Sequence, residues 1–311
     1  MSNYHIPVLL EESIEGLNIK PDGIYLDVTF GGGGHSRLIL DKLTTGKLIA
    51  FDQDEDAKKN IPKSKNFLFV HHNFKYLQFF LRYLKIEKVD GILADLGVSS
   101  HHFDESERGF SYRFNTELDM RMNRNKTSKA SDIVNQYSPE NLALIFREYG
   151  EVEKPWAVAQ AITKYRQTSP IKTTGDLLDA IKDVVPEKIK NKSLSRIYQA
   201  LRIEVNGEID ALKDFLDQSA SVLNPRGRLA VITYHSLEDR LVKNFFKFGN
   251  FEGIPNKDFY GNIIAPFELV NKKVVTPSEI EIERNSRSRS AKLRIAQRRV
   301  YETGKSTTKG I

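Results

Sequence analysis

The chain of 311 residues contains no cysteine. Disulfides and thiolate metal sites are therefore excluded. No apolar run approaches the roughly 18 residues that a membrane span needs. The first residues, Met1-Ser2-Asn3-Tyr4-His5, lack the basic-then-apolar pattern of a secretory signal. Internal repeats are absent. These gaps predict a cytoplasmic protein with no membrane association. The one tryptophan, Trp156, reads as a helix-packing residue. Apolar content of 40% and charged content of 28% are those of an ordinary globular chain. The net charge is a mild +6, but its distribution is uneven. Arg284 to Arg299 holds Arg284, Arg287, Arg289, Lys292, Arg294, Arg298 and Arg299 and no acid. Such a stretch suits contacts with a phosphate backbone; a solvated basic tail is the alternative.

What is present is organised around Ile24 to Ser36. The apolar run Ile24 to Val28 ends, after Thr29-Phe30, in four glycines, Gly31 to Gly34, and a helical pattern (Leu38, Ile39, Leu40, Leu43) follows at once. This is a strand, a tight turn and a helix, the opening unit of a nucleoside- or dinucleotide-binding α/β domain. Glycine permits φ > 0 and close approach of a ligand to the backbone. The helix start offers N–H groups and a positive dipole end to an anion. No Gly-Lys-Ser/Thr follows, so a Walker A loop is excluded. The next apolar run, Lys47 to Phe51, ends in Asp52-Gln53-Asp54. Asp52 lies about 20 residues past the glycines, the spacing at which a carboxylate reaches ribose hydroxyls.

Further strands are predicted at Phe67–Val70 and Val89–Leu93, with helices over Pro7–Leu17 and Phe74–Leu84 and a helical turn over Asp54–Asn60. Strands alternating with helices predict a parallel, doubly wound sheet, with ligands at the carboxyl ends of its strands. Asp27, the glycines, Asp52, Phe74 and Asp95 fall at those ends.

After about Ser111 the alternation stops. Helices are predicted over Asn141–Tyr149, capped by Ser138-Pro139, and over Val152–Arg166, Thr174–Val185, Leu194–Val205 and Ile209–Leu223. A helical block of this length is most simply an inserted domain. The predicted division is a first sheet part over 1–110, a helical insertion over 111–209, and a second sheet part with the basic segment over 210–311. Asn224-Pro225-Arg226-Gly227 reads as a turn, and Arg228–Thr233 as a strand. Ser236 is the candidate cap of a helix running to Phe248, and 249–265 reads as a mobile loop. Phe267–Val275 and Lys292–Ala296 read as strands, with a brief helix over Pro277–Arg284. Thr303–Ile311 reads as disordered.

Taken together, His5-Ile6-Pro7-Val8-Leu9-Leu10-Glu11-Glu12, the Thr29–Ser36 loop, Asp90–Ser100, Glu107-Arg108-Gly109-Phe110-Ser111, Leu118-Asp119-Met120-Arg121-Met122, His235–Arg240 and Ser286-Arg287-Ser288-Arg289-Ser290 resemble the ribosomal RNA small-subunit methyltransferase H family. The resemblance covers nearly the whole chain. It implies a class I, Rossmann-like methyltransferase sheet with an inserted all-helical substrate domain. It implies S-adenosylmethionine-dependent methylation of the N4 amine of a cytidine in 16S rRNA, within the small ribosomal subunit or its precursor. A homodimer is left open. It also implies cofactor contacts at Gly33, Gly34 and His35, with Asp52 on the ribose, Phe74 near the adenine, and Asp95 and His102 nearby. His102 departs from the Gln that many members carry there, and the contiguous glycines depart from the spaced Gly-x-Gly form.

A cytosine amine is a poor nucleophile because its lone pair is delocalised into the ring, so positioning matters, and the base must be unstacked. Many amino-methyltransferases carry an Asn/Asp-Pro-Pro-aromatic motif after the fourth strand. This chain has Asp95-Leu96-Gly97-Val98 there, which makes Asp95 the catalytic candidate, with cofactor binding alone as its alternative. His71 and His72 read as a solvated loop pair. His235, Ser236 and Asp239 are too close in sequence to form a hydrolase triad, which is recognised by geometry. A nicotinamide-dependent oxidoreductase shares the glycine loop and Asp52, and a non-catalytic RNA-binding protein would keep the fold alone. Cofactor binding and methyl transfer discriminate these from a methyltransferase.

Overall fold

The computed structural model describes residues 7–97 and 108–300. Five strands share one direction: β1 (Ile24–Asp27), β2 (Lys47–Asp52), β3 (Phe67–His71), β4 (Val89–Asp95) and β5 (Leu223–Thr233). With β6 (Phe267–Leu269) and β7 (Lys292–Arg298) they form a seven-stranded sheet in the order β3-β2-β1-β4-β5-β7-β6. Only β7 reverses, pairing antiparallel with both β5 and β6. The all-parallel expectation fails there because the strand–helix alternation weakens after β5. Between β6 and β7 the one α-helix is the short α11 (Glu279–Arg284), and an antiparallel pair needs no long crossover.

The period-2 alternation of each central strand feeds two apolar layers. Leu26, Ile92, Leu229 and Val231 face one layer, which packs Leu77 and Leu81 of α3 (Leu77–Tyr83), Phe215 of α9 (Glu208–Val222) and Phe245 of α10 (Ser236–Phe248). Tyr25, Leu93, Ala230 and Ile232 face the other, against Ile14 and Leu17 of α1 (Leu10–Leu17) and Ile39 of α2 (Gly34–Lys42).

A separate apolar cluster runs from Phe110 to Val205. Its helices are α4 (Ala130–Gln136), α5 (Pro139–Glu148), α6 (Pro155–Arg166), α7 (Thr174–Ile181) and α8 (Lys190–Asn206). Local chemistry sets their starts. Ser138 accepts from the Asn141 N–H, with Pro139 at the first position of α5. Thr173 and Asp176 cap α7 reciprocally. Asn206 then fastens the cluster's end: its Oδ1 accepts from the Met122 N–H at 2.8 Å and its Nδ2 donates to the Met120 carbonyl at 2.9 Å.

Several local expectations shift. Asn224–Gly227 is not a free turn: it bulges within β5, where Val89 pairs with Leu223 and Gly91 with Arg228. The helix expected from Val152 starts at Pro155, because the Val152 N–H closes the end of α5 on the Phe146 carbonyl. The strand expected over Phe267–Val275 stops at Leu269, and Val275 returns as an isolated bridge to Leu293. Trp156 is 46% exposed rather than packed, since the buried face of α6 is Val158, Ala159 and Ile162. The cap of α10 is His235, whose ring accepts from the Glu238 N–H, and not Ser236, whose hydroxyl donates to Glu151. Thr303–Ile311 lies outside the described residues. Among those described, no helix is long and apolar enough to cross a membrane.

Candidate active site

The carboxyl ends of β1, β2, β4 and β5 converge on one set of polar groups. Asp27 closes β1 at 1% exposure, accepting from the Ser36 hydroxyl at 2.6 Å and the Thr29 N–H at 3.2 Å. Thr29 in turn accepts from the Asp95 N–H through Oγ1 at 2.6 Å. Asp95 closes β4, and its Oδ1 accepts from the Tyr234 hydroxyl at 2.7 Å. His35 Nδ1 lies 3.9 Å from the other Asp95 oxygen, while its Nε2 is 3.2 Å from the Val8 carbonyl. Burial is the main cause that lifts both acids. Asp27 is pushed up to about 6 and Asp95 to about 7, each opposed by its hydroxyl partner, and the Asp27 charge adds to the rise at Asp95.

The glycine loop is tied to β2 through Asp52. One Asp52 oxygen accepts from the Gly31 N–H and the other from the Asp54 N–H, both at 2.8 Å. The glycines divide their work. A Cβ on Gly34 would stand 2.1 Å from Pro7 and one on Gly33 would stand 2.9 Å from the Phe30 ring, so the chain itself fills that space. At Gly31, at φ +49°, a Cβ would meet the Thr29 carbonyl at an ordinary 3.9 Å, so the least crowded of these glycines is where a ligand could approach the backbone. Gly33 caps α2 in the left-handed conformation, and no side chain caps the helix or places an acid in its first turn. Such a start suits an anionic group.

Phe74 opens a 3-10 turn, Phe74–Tyr76, after β3, with its ring 5.4 Å from Phe215 in a T-shaped contact. Asn73 caps that turn and donates to Gln53 at 2.9 Å, linking the ends of β2 and β3. Gly33, Gly34, His35, Asp52, Phe74 and Asp95 thus all sit at or just past strand ends along one edge of the sheet. His102 lies outside the described residues.

Two relationships were not read from the sequence. Tyr234 stands one residue past β5, inside a motif noted for His235 and Ser236, and only the β4–β5 pairing reveals that it meets Asp95. Arg108 is 4% exposed and bonds Asp54 at 2.7 Å while also donating to the Arg121 and Met122 carbonyls. It thereby joins the Asp52 loop to the residue 108–122 segment. As expected, no triad forms: His235 pairs with Glu238 at 3.0 Å, Ser236 with Glu151, and Asp239 with Arg294 at 2.7 Å. Glu238 is held below its usual range although burial alone would raise it, because His235 and Arg202 outweigh that burial. His72 accepts from the Asn73 N–H, and no described group of three His, Asp or Glu could hold a metal. Part of the basic stretch is spent inside the fold, with Arg294 on Asp239, Arg298 on the Pro266 carbonyl and Arg299 on the Phe267 carbonyl.

The sheet order and the glycine-to-carboxylate geometry define a class I, Rossmann-like methyltransferase fold. The profile of the MraW methylase family matches residues 2–299, and the chain belongs to that family. It is a methyltransferase, and its methyl donor is S-adenosylmethionine. Ribosomal RNA small subunit methyltransferase H of Bacteroides thetaiotaomicron is 58% identical over 297 residues, covering 95% of this chain and 98% of that one. The protein of the same name from Flavobacterium johnsoniae is 54% identical over 296 residues, covering 95% and 98%. Among solved structures, a putative methyltransferase from Streptococcus mutans in complex with SAH is 12% identical, with a TM-score of 0.42, covering 94% of this chain and 99% of that one.

Proposed function

We propose that this enzyme methylates the exocyclic N4 amine of a cytidine in 16S rRNA, within the small ribosomal subunit or its precursor in the cytoplasm. The names of relatives more than half identical over nearly their full length support the rRNA substrate. The observation that carries the amine chemistry is Asp95, a carboxyl group at the end of β4 whose Oδ1 accepts from the Tyr234 hydroxyl at 2.7 Å.

Bound S-adenosylmethionine supplies an electrophilic methyl group on its sulfonium sulfur. The uncapped start of α2, with Gly33, Gly34 and His35, would hold the anionic end of the cofactor. Asp52, at the end of β2 and about 20 residues past the glycines, would take the ribose hydroxyls. Phe74 would lie by the adenine, and His102 belongs to the same proposed set. Asp95, ionised, would accept from the cytosine N4–H, drawing the lone pair out of conjugation and stabilising the positive charge that develops there. Tyr234 fixes the direction of that carboxylate, and Thr29 holds the Asp95 backbone N–H. Residues 111–209 would serve as the substrate lobe over the carboxyl edge of the sheet, with 1–110 and 210–311 forming the methyltransferase domain.

The test is nucleoside mass mapping of 16S rRNA from a deletion strain, joined to methylation of its small subunits by the purified enzyme. N4-methylation of one cytidine, missing in the strain and restored in vitro, is expected. Methyl transfer to a different atom, or none to any RNA, would sink the reading.

A further inference from the structure

We propose that the solvent face of α3 and the turn before it form a binding track for a single-stranded stretch of RNA leading to the site; this rests on the RNA substrate proposed above. The turn and helix, Phe74 to Tyr83, present two opposite stripes. Leu77 and Leu81 are buried in the sheet layer. Tyr76, Phe79 and Tyr83, at i, i+3 and i+7, are 42%, 65% and 77% exposed. Three large aromatics on the outer stripe of one amphipathic segment reverse the usual pattern, in which that face is polar.

The charge around the stripe selects the partner. Lys75, Arg82, Lys85 and Lys88 accompany the aromatics, against the single acid Glu87. The ammonium of Lys75 lies 4.8 Å from the centre of the Tyr76 ring. Beside the stripe, Arg82, Lys85 and Lys88 line a cavity of about 450 Å³ between the end of α3 and the end of α9. Aromatic faces set among cations are what an unpaired polynucleotide requires: bases stack on the rings and phosphates meet the charges. A protein partner with an apolar face would gain nothing from four cations.

The surface is also rigid and continuous with the active site. Gln218 of α9 pins the turn, accepting from the Gln78 N–H at 2.8 Å and donating to the Lys75 carbonyl at 2.7 Å. Phe79 is braced edge-on by Phe80, 5.3 Å away, and Tyr76 by His72, 4.8 Å away. The track begins at Phe74, on the rim of the site. An RNA strand running along α3 would therefore arrive where its target base is to be extruded.

The test uses the full-length enzyme and two variants, Phe79→Ala/Tyr83→Ala and Arg82→Gln/Lys85→Gln. Binding of a fluorescent single-stranded oligonucleotide of 16S rRNA sequence is followed by anisotropy across a salt series, and S-adenosylmethionine binding by calorimetry. The aromatic variant should lose tenfold or more in RNA affinity, given the size of base–aromatic stacking. The charge variant should flatten the slope of log affinity against log salt by about 0.7 per lost cation. Cofactor affinity should be unchanged in both. Wild-type RNA affinity in the variants, with cofactor binding intact, overturns the track alone. A change in sedimentation from dimer to monomer without a change in RNA affinity also overturns it, making the stripe a self-association face. Failure of the wild type to bind any RNA at low salt removes both this proposal and the RNA substrate beneath it.

Discussion

The Tyr234 hydroxyl donates to Asp95 Oδ1 at 2.7 Å, joining the ends of two neighbouring parallel strands through their side chains. Burial raises the Asp95 carboxyl to about 7, and the Tyr234 bond opposes that rise by favouring the charged form. If the carboxylate is the working form, single-turnover methylation should climb with pH through about 7 in the wild type. Tyr234→Phe removes the opposing bond, so the same limb should move to higher pH. A pH–rate profile checks this, and an unmoved limb would detach Tyr234 from the titration.

Asp95→Asn keeps the size and some hydrogen bonding of the side chain but removes its charge. Loss of one preorganised interaction of this kind costs about 10²–10³-fold in rate. Single-turnover methylation should fall by that order while S-adenosylmethionine affinity changes less. Equal losses of both would make Asp95 a cofactor ligand only, and a near-normal rate would leave positioning as the main catalytic effect.

Asp52→Ala takes the acceptor from the Gly31 and Asp54 N–H groups together with the proposed ribose contact. Cofactor affinity should weaken by about 1–3 kcal/mol, read by calorimetry. Undiminished affinity would place the ribose elsewhere.

Arg108→Met removes the cation that bonds Asp54 and frees the carbonyls of Arg121 and Met122. Breaking a buried pair from one side costs about 3–5 kcal/mol. The denaturant midpoint should drop accordingly, and adding Asp54→Asn should return part of the loss, because the buried charge that Arg108 offset is gone. A strictly additive double variant would show that the pair is not coupled.

Much of the site was legible because it depends on local signals. The strand ends, the glycine turn and the carboxylate spacing place Asp27, Asp52 and Asp95 on one edge, and period-2 alternation identifies both faces of the central strands. What escaped depends on which distant segments meet. Arg108 finds Asp54 across 54 residues, and nothing local to either marks the pair. Tyr234 becomes informative only once β5 lies beside β4. Asn224–Gly227 has turn chemistry, yet β4 on its flank draws it into a bulged strand. Trp156 was misjudged because hydrophobic bulk alone does not say which face of α6 a residue occupies. The run of cations after Arg284 reads as open to phosphates or solvent, although several of its members are engaged by acids and carbonyls of the fold.

The reversed strand β7 also dictates an order of events at birth. It lies between β5 and β6, so among the described residues those two strands do not pair with each other, and β6 pairs only with β7. Until Lys292–Arg298 has left the ribosome, β5 keeps one bare edge, and Phe267 lacks the strand that fixes it against Phe246. The parallel strands β1 to β4 can assemble while translation continues. The flank that carries Tyr234 is thus completed only by a strand far along the chain from β1 to β4.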